Sequence, residues 1–221
     1  MSGWLALVGG GEWTPGCTFD AQLLEVSGAQ RVVVLPTASA YEGPAAVVAA
    51  ASAWFGELGA EVVAANVFDR AGAADPAQID VIANARFIYL ASGSAMHLLS
   101  TLKRTALWEA IKTAHAGGAC VAAAGTSAAV LCDAMVDPRG GGFGIGLGLV
   151  TQLTLIPRYD QWSVEKARRT IDLAPSGLAL AGIPERTALL RDPSGTWSAV
   201  GVGEIRLFKD GHPADLASLN S

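Results

Sequence analysis

The sequence predicts a doubly wound α/β fold: a mostly parallel sheet with helices on both faces and extra antiparallel strands near the C-terminus. Three observations lead there. Short apolar or β-branched runs alternate with segments of helical spacing through the first two thirds of the chain, the signature of stacked βαβ units. The run Val32-Val33-Val34-Leu35 carries no polar residue, as expected of a strand buried on both faces. The last third loses this alternation and shows strand-like runs punctuated by the turn signals Asp192-Pro193-Ser194-Gly195 and Lys209-Asp210-Gly211.

Taken in order, residues 4–8 read as the first strand, residues 18–26 as a helix and residues 31–35 as the second strand. After Pro44 an alanine-rich helix runs to Leu58 and closes at Gly59, where a residue without a Cβ favours the left-handed turn that ends helices. Residues 61–68 form a strand. Asp75 and Pro76 then supply an N-cap and a first helical residue with fixed φ for a helix through Asn84. A strand over 87–91, one long helix over 94–116 and a central strand over 120–124 follow, with a further helix starting near Ser127. In the last third, strands are expected over 153–158, 179–191, 197–202 and 204–208, with one helix over 163–173 and a tail that frays after Pro213.

With 221 residues, 51% of them apolar, the chain is long enough for one substantial core and reads as a single domain over 1–221. Only 16% of residues are charged and the net charge is −5, so no basic surface exists to meet nucleic acid or anionic lipid. Residues 117–132, the longest uncharged stretch, fall short of the roughly 20 residues a membrane helix needs. The N-terminal apolar run stops at Gly9-Gly10-Gly11 and lacks a basic leader, which speaks against a signal peptide. Cys17, Cys120 and Cys132 cannot all pair and lack metal-ligand spacing, so neither a disulfide framework, a metal nor a cofactor is indicated and a cytoplasmic setting is expected. Neither Gly9-Gly10-Gly11 nor the glycine-rich run from Gly140 to Gly148 satisfies a phosphate-loop pattern.

The segment that points to chemistry is Gly125-Thr126-Ser127-Ala128-Ala129. A strand that turns through Gly-x-Ser-x-(small) straight into a helix resembles a nucleophile elbow. Ser127 would stand at the carboxyl end of a central strand, where open α/β sheets bind ligands, with the N–H of Ala128 as one oxyanion donor. The plainer alternative is that Gly-Thr-Ser merely caps a helix.

Reading outward, four further segments fall in an order that resembles peptidase family S51, which includes dipeptidase E and cyanophycinase: Gly9-Gly10-Gly11-Glu12, Leu35-Pro36-Thr37-Ala38-Ser39, Gly146-Leu147-Gly148-Leu149 and Gly182-Ile183-Pro184-Glu185-Arg186-Thr187-Ala188. The resemblance implies a fold like that of class I glutamine amidotransferases, Ser127 as nucleophile and Glu185 as the acid that orients a base. It implies a small peptide or amide as substrate. The family places its base, a histidine, in an Asp-x-His-Phe-like strand after Gly-Leu-Gly-Leu; the stretch Thr154-Leu155-Ile156-Pro157-Arg158 has no histidine, and Ile156 is read as standing in its place. Without a base a serine hydroxyl is a poor nucleophile. The family's Gly-Gly-(Asp or Asn)-Gln becomes Ser92-Gly93-Ser94-Ala95, leaving Gly93 as the second oxyanion donor.

His97 lies one turn into the helix beside Gly93 and is the substitute base to consider; Tyr159 and Asp160 are weaker choices, and a helix histidine is more commonly structural. Arg158, Arg168 and Arg169 could attract a carboxylate, although the adjacent Arg168 and Arg169 suit a solvated helix face better. Two functions follow from these residues. One is a serine peptidase or hydrolase acting through Ser127; the other is a non-catalytic homologue that retains the pocket as a binding site. A homo-oligomer is compatible with either, and a partner domain of an amidotransferase, which would need a cysteine at the elbow, ranks last.

Overall fold

The computed structural model describes residues 2–220. Five parallel strands alternate with helices as the sequence predicts: β1 (Leu5–Val8), β2 (Arg31–Leu35), β3 (Glu61–Ala64), β4 (Phe87–Leu90) and β5 (Cys120–Ala124). With β10 (Thr187–Arg191) and β11 (Trp197–Gly201) they make a seven-stranded sheet in the order β11-β10-β1-β5-β4-β2-β3. The pairs β10–β1 and β11–β10 are antiparallel. Period-two side-chain alternation divides this sheet between two cores. Leu5, Leu7, Val33, Leu35, Ile88, Leu90, Val121 and Ala123 face one, and Ala6, Val8, Val32, Val34, Phe87, Tyr89, Cys120 and Ala122 face the other.

Helices α1 (Phe19–Ser27) and α2 (Pro44–Glu57) supply Phe19, Leu23 and Phe55 to the second core. Helices α3 (Pro76–Ala83), α4 (Ala95–Leu102), α5 (Ala106–Ala116) and α6 (Thr126–Leu131) pack on the first. The single helix expected over 94–116 is two. Arg104 takes φ 58°, which breaks the helical path, and Thr105 restarts it by accepting a hydrogen bond from the Trp108 N–H at 3.3 Å.

The last third holds a hairpin of β6 (Ala134–Val136) with β7 (Phe143–Ile145), then β8 (Leu153–Pro157), helix α7 (Val164–Asp172) and β9 (Ala179–Ile183). Strands β8 and β9 run parallel in a separate four-stranded sheet completed by β12 (Arg206–Lys209) and β13 (His212–Ala214). The run read as one strand over 179–191 is thus two strands in two sheets, parted by Pro184 and by Arg186 at φ 55°. The tail does not fray. Asn220 accepts a hydrogen bond from the Trp197 N–H at 2.6 Å and donates one to its carbonyl at 3.2 Å. No helix among the described residues is long and apolar enough to cross a membrane.

Two close approaches join the sheets beside the carboxyl ends of β1, β4 and β5. The Arg158 N–H donates to Gly9 O at 2.8 Å and the Arg186 N–H to Gly10 O at 2.7 Å, so the loop after β1 is gripped by the ends of β8 and β9. Gly9 permits this contact, since a Cβ there would lie 2.0 Å from Pro184 O.

Candidate functional site

At the carboxyl ends of these strands lies a cavity of about 510 Å³. Glu12 and Trp13 from the loop after β1, Ser92 and Gly93 after β4, Thr126 at the start of α6, and Arg158 and Trp162 after β8 line it. This is where an open α/β sheet offers a ligand site, and the volume suits a small molecule.

The turn from β5 into α6 has its corner at Gly125, with φ 54° and ψ −126°. An L-residue with a side chain adopts such backbone only under strain, and a nucleophile elbow holds its reactive residue in such a strained turn. The sequence reading centred the elbow on Ser127, two residues later. The alanines of β5 extend the strand through Ala124, so the chain turns at its first glycine. Ser127 then falls inside α6, fully buried, and its Oγ donates to Ala91 O at 2.6 Å.

A Cβ at position 125 would lie 2.3 Å from Ser92 Oγ and 3.0 Å from Ser92 Cβ. The space in which an elbow side chain would begin is therefore filled by a serine from the facing loop. Ser92 is held by its backbone: its N–H donates to Glu12 Oε1 at 2.9 Å, and its carbonyl accepts from Ser39 Oγ at 2.7 Å.

The two N–H groups expected to face an oxyanion are both committed within the protein. That of Ala128 donates to Gly125 O at 3.1 Å and that of Gly93 to Thr126 Oγ1 at 3.3 Å. His97 is likewise turned elsewhere. Its Nε2 lies 2.8 Å from Phe68 O, and its ring stands edge-on to Tyr41 with centroids 5.0 Å apart.

Glu185 does not line the cavity but pairs with a residue that does: Arg158 Nε lies 3.3 Å from Glu185 Oε1. Asp160 Oδ1 accepts the Glu185 N–H at 2.9 Å and steadies that loop. Ile156, read from the sequence as the vacant base position, is fully buried among Val136, Ile171 and Leu180 and belongs to the core. At the end of β8 Pro157 lines the cavity, and Arg158, the next residue, enters it with φ 50° and ψ 44°. The triplet Pro157-Arg158-Tyr159 follows the x-His-Phe part of the family pattern with arginine in the histidine's place. Aligning the aromatic residue rather than the strand start would have found it. Arg168 pairs with Asp172 at 3.7 Å on the surface of α7, as a solvated helix face does.

Beneath Trp13, the buried side of the site holds polar groups that sequence reading missed. Asp20 is fully buried and its Oδ2 accepts from Trp54 Nε1 at 2.9 Å. Burial pushes its carboxyl up to about 8; the Trp54 hydrogen bond opposes that rise and the charge of Glu12 adds to it. Asp20 Oδ1, Trp13 Nε1 and Tyr89 OH have no protein partner. The Trp13 and Tyr89 rings lie 5.1 Å apart between centroids.

Comparison with known proteins bears on the family and the fold. The description "Peptidase family S51" matches residues 5–195. Among solved structures, a peptidase from an acI-B1 Actinobacterium superposes with a TM-score of 0.86 at 26% identity, covering 97% of this chain and 93% of that one. A candidate peptidase E protein from Listeria monocytogenes EGD-e superposes with a TM-score of 0.67 at 16% identity, over 95% of this chain and 99% of that one, a likeness of fold. Curated proteins give no match. The match over most of its length, carried on the same mostly parallel sheet, makes this chain a member of peptidase family S51.

Proposed function

We propose that this S51 member binds a small peptide, amide or carboxylic acid in the cavity at the elbow and does not hydrolyse it through an acyl-enzyme. The observation that carries this reading is Gly125 at the corner of the β5–α6 turn, where no side chain exists to attack a carbonyl. Two features support it. Arg158 pairs with Glu185 where a base would sit between nucleophile and acid, and a guanidinium, which carries donors and no acceptor, takes no proton from a serine. Ser127, the elbow serine by sequence, is buried and donates its hydroxyl proton to a backbone carbonyl.

The replacements at 92 and 125 are sterically linked. Serine at 125 requires glycine or another arrangement at 92, since Ser92 Oγ fills the space its Cβ would take. A reversion to hydrolysis therefore needs Ser92→Gly, Gly125→Ser and Arg158→His together. The reading is tested by incubating the protein with a mixture of dipeptides and amino-acid amides and following each by mass spectrometry, while thermal shift reports binding. Binding without turnover is expected. Turnover that disappears in Ser127→Ala would show that the serine hydrolase reading is the right one.

A further inference from the structure

Arg158 changes what the cavity recognises as well as what it cannot catalyse. Its left-handed backbone turns it from the end of β8 into the cavity. Gly10 leaves room for the guanidinium, because a Cβ at Gly10 would stand 2.8 Å from Arg158 Nε. Glu185 engages Nε at 3.3 Å, and among the described residues the two terminal nitrogens make no hydrogen bond. Gly10 Cα in turn lies 4.0 Å from the Cβ position at 125, beside which Ser92 Oγ stands without a hydrogen-bond partner among the described residues. Arg158, beside Gly10, and the Ser92 hydroxyl, beside position 125, thus border the corner where a peptidase of this fold would hold an uncharged scissile carbonyl. A planar guanidinium with free terminal N–H groups matches a carboxylate bidentately and gains far less from a neutral amide.

The remaining walls set the rest of the ligand. Trp13, Val47, Val136, Pro138 and Trp162 are apolar; of the two lining acids, Glu12 has its Oε1 occupied by the Ser92 N–H at 2.9 Å, and Glu42 stands at the exposed rim. On the reading that the elbow does not acylate, we infer that the site selects a free carboxylic acid with an apolar or aromatic body, its carboxylate on Arg158 and Ser92. Arg158 is then the specificity-determining residue, and Glu42 disfavours a second anion at the other end of the ligand.

The test is calorimetric titration of the full chain with N-acetyl-L-phenylalanine and with its primary amide, each sample checked by mass spectrometry afterwards. The acid is expected to bind at least about tenfold more tightly than the amide, since loss of one charge-assisted pair costs on the order of 1.4 kcal/mol or more. Arg158→Gln should erase the preference, and Arg158→Lys, which keeps the charge and loses the fork, should reduce it. Ser127→Ala should leave it intact. Equal binding of acid and amide by the wild type overturns the inference, as does failure of the acid to bind at all or unchanged binding to Arg158→Gln. Consumption of the amide is a separate outcome that overturns the non-hydrolytic reading instead.

Discussion

At the scale of single residues, two groups make opposite use of burial. Ser127 loses access to solvent and gains a fixed partner, so its hydroxyl acts as a structural donor to Ala91 O. Replacing it with alanine leaves that acceptor unmet and should lower stability by about 1–2 kcal/mol in chemical denaturation, while ligand binding in the cavity is unchanged. Asp20 instead keeps its proton. Its carboxyl is raised from 3.8 to about 8, so between those values the folded chain holds a proton that the unfolded chain has released. Its contribution to stability is complete below about pH 4 and declines as pH rises to about 8. Asp20→Asn should abolish that decline, giving a variant whose melting temperature exceeds that of the wild type near pH 8 and changes less between pH 5 and 8, where most of the loss falls. Neither behaviour was legible in the sequence. Spacing suggested a helix over 18–26 without telling which residue faces Trp54, and a Gly-x-Ser motif cannot report where the chain turns.

At the scale of elements, the parallel strands and their helices were legible because their signals are local. The buried Val-Val-Val run and the Asp75-Pro76 helix start need no distant partner to be recognised, and Asp75 Oδ1 does accept the Ala77 N–H at 2.9 Å. The elements that misled depend on context. An apolar stretch such as 179–191 reads as one strand until Arg186, at positive φ, divides it between two sheets. Helices α4 and α5 read as one because Lys103-Arg104-Thr105 contains neither proline nor glycine, although Thr105 caps the second. Thr105 also donates to Leu102 O at 2.7 Å, which ties the cap to the end of α4. Thr105→Ala should therefore cost about 1 kcal/mol, read as a lower denaturation midpoint with the slope unchanged.

At the scale of the whole molecule, the site exists because two sheets meet beside it. The loop after β1 is held by the ends of β8 and β9, and through it Glu12, Trp13, Arg158 and Glu185 come together although they are far apart in the chain. Gly9→Ala, whose Cβ would meet Pro184 O at 2.0 Å, should separate these elements, lower stability by at least about 2 kcal/mol and weaken binding in the cavity together with it. The family was legible from five short motifs in order, whereas the proposed loss of its chemistry rests on two-residue offsets at 125 and 158 that local sequence does not fix. The central claim is that the corner of the elbow is a glycine and carries no reactive serine. It is tested most directly by treating the purified chain with a fluorophosphonate serine probe and measuring intact mass, followed by peptide mapping. The account predicts no adduct on the native chain; an adduct on Ser127 or Ser92 at a stoichiometry near one would contradict it.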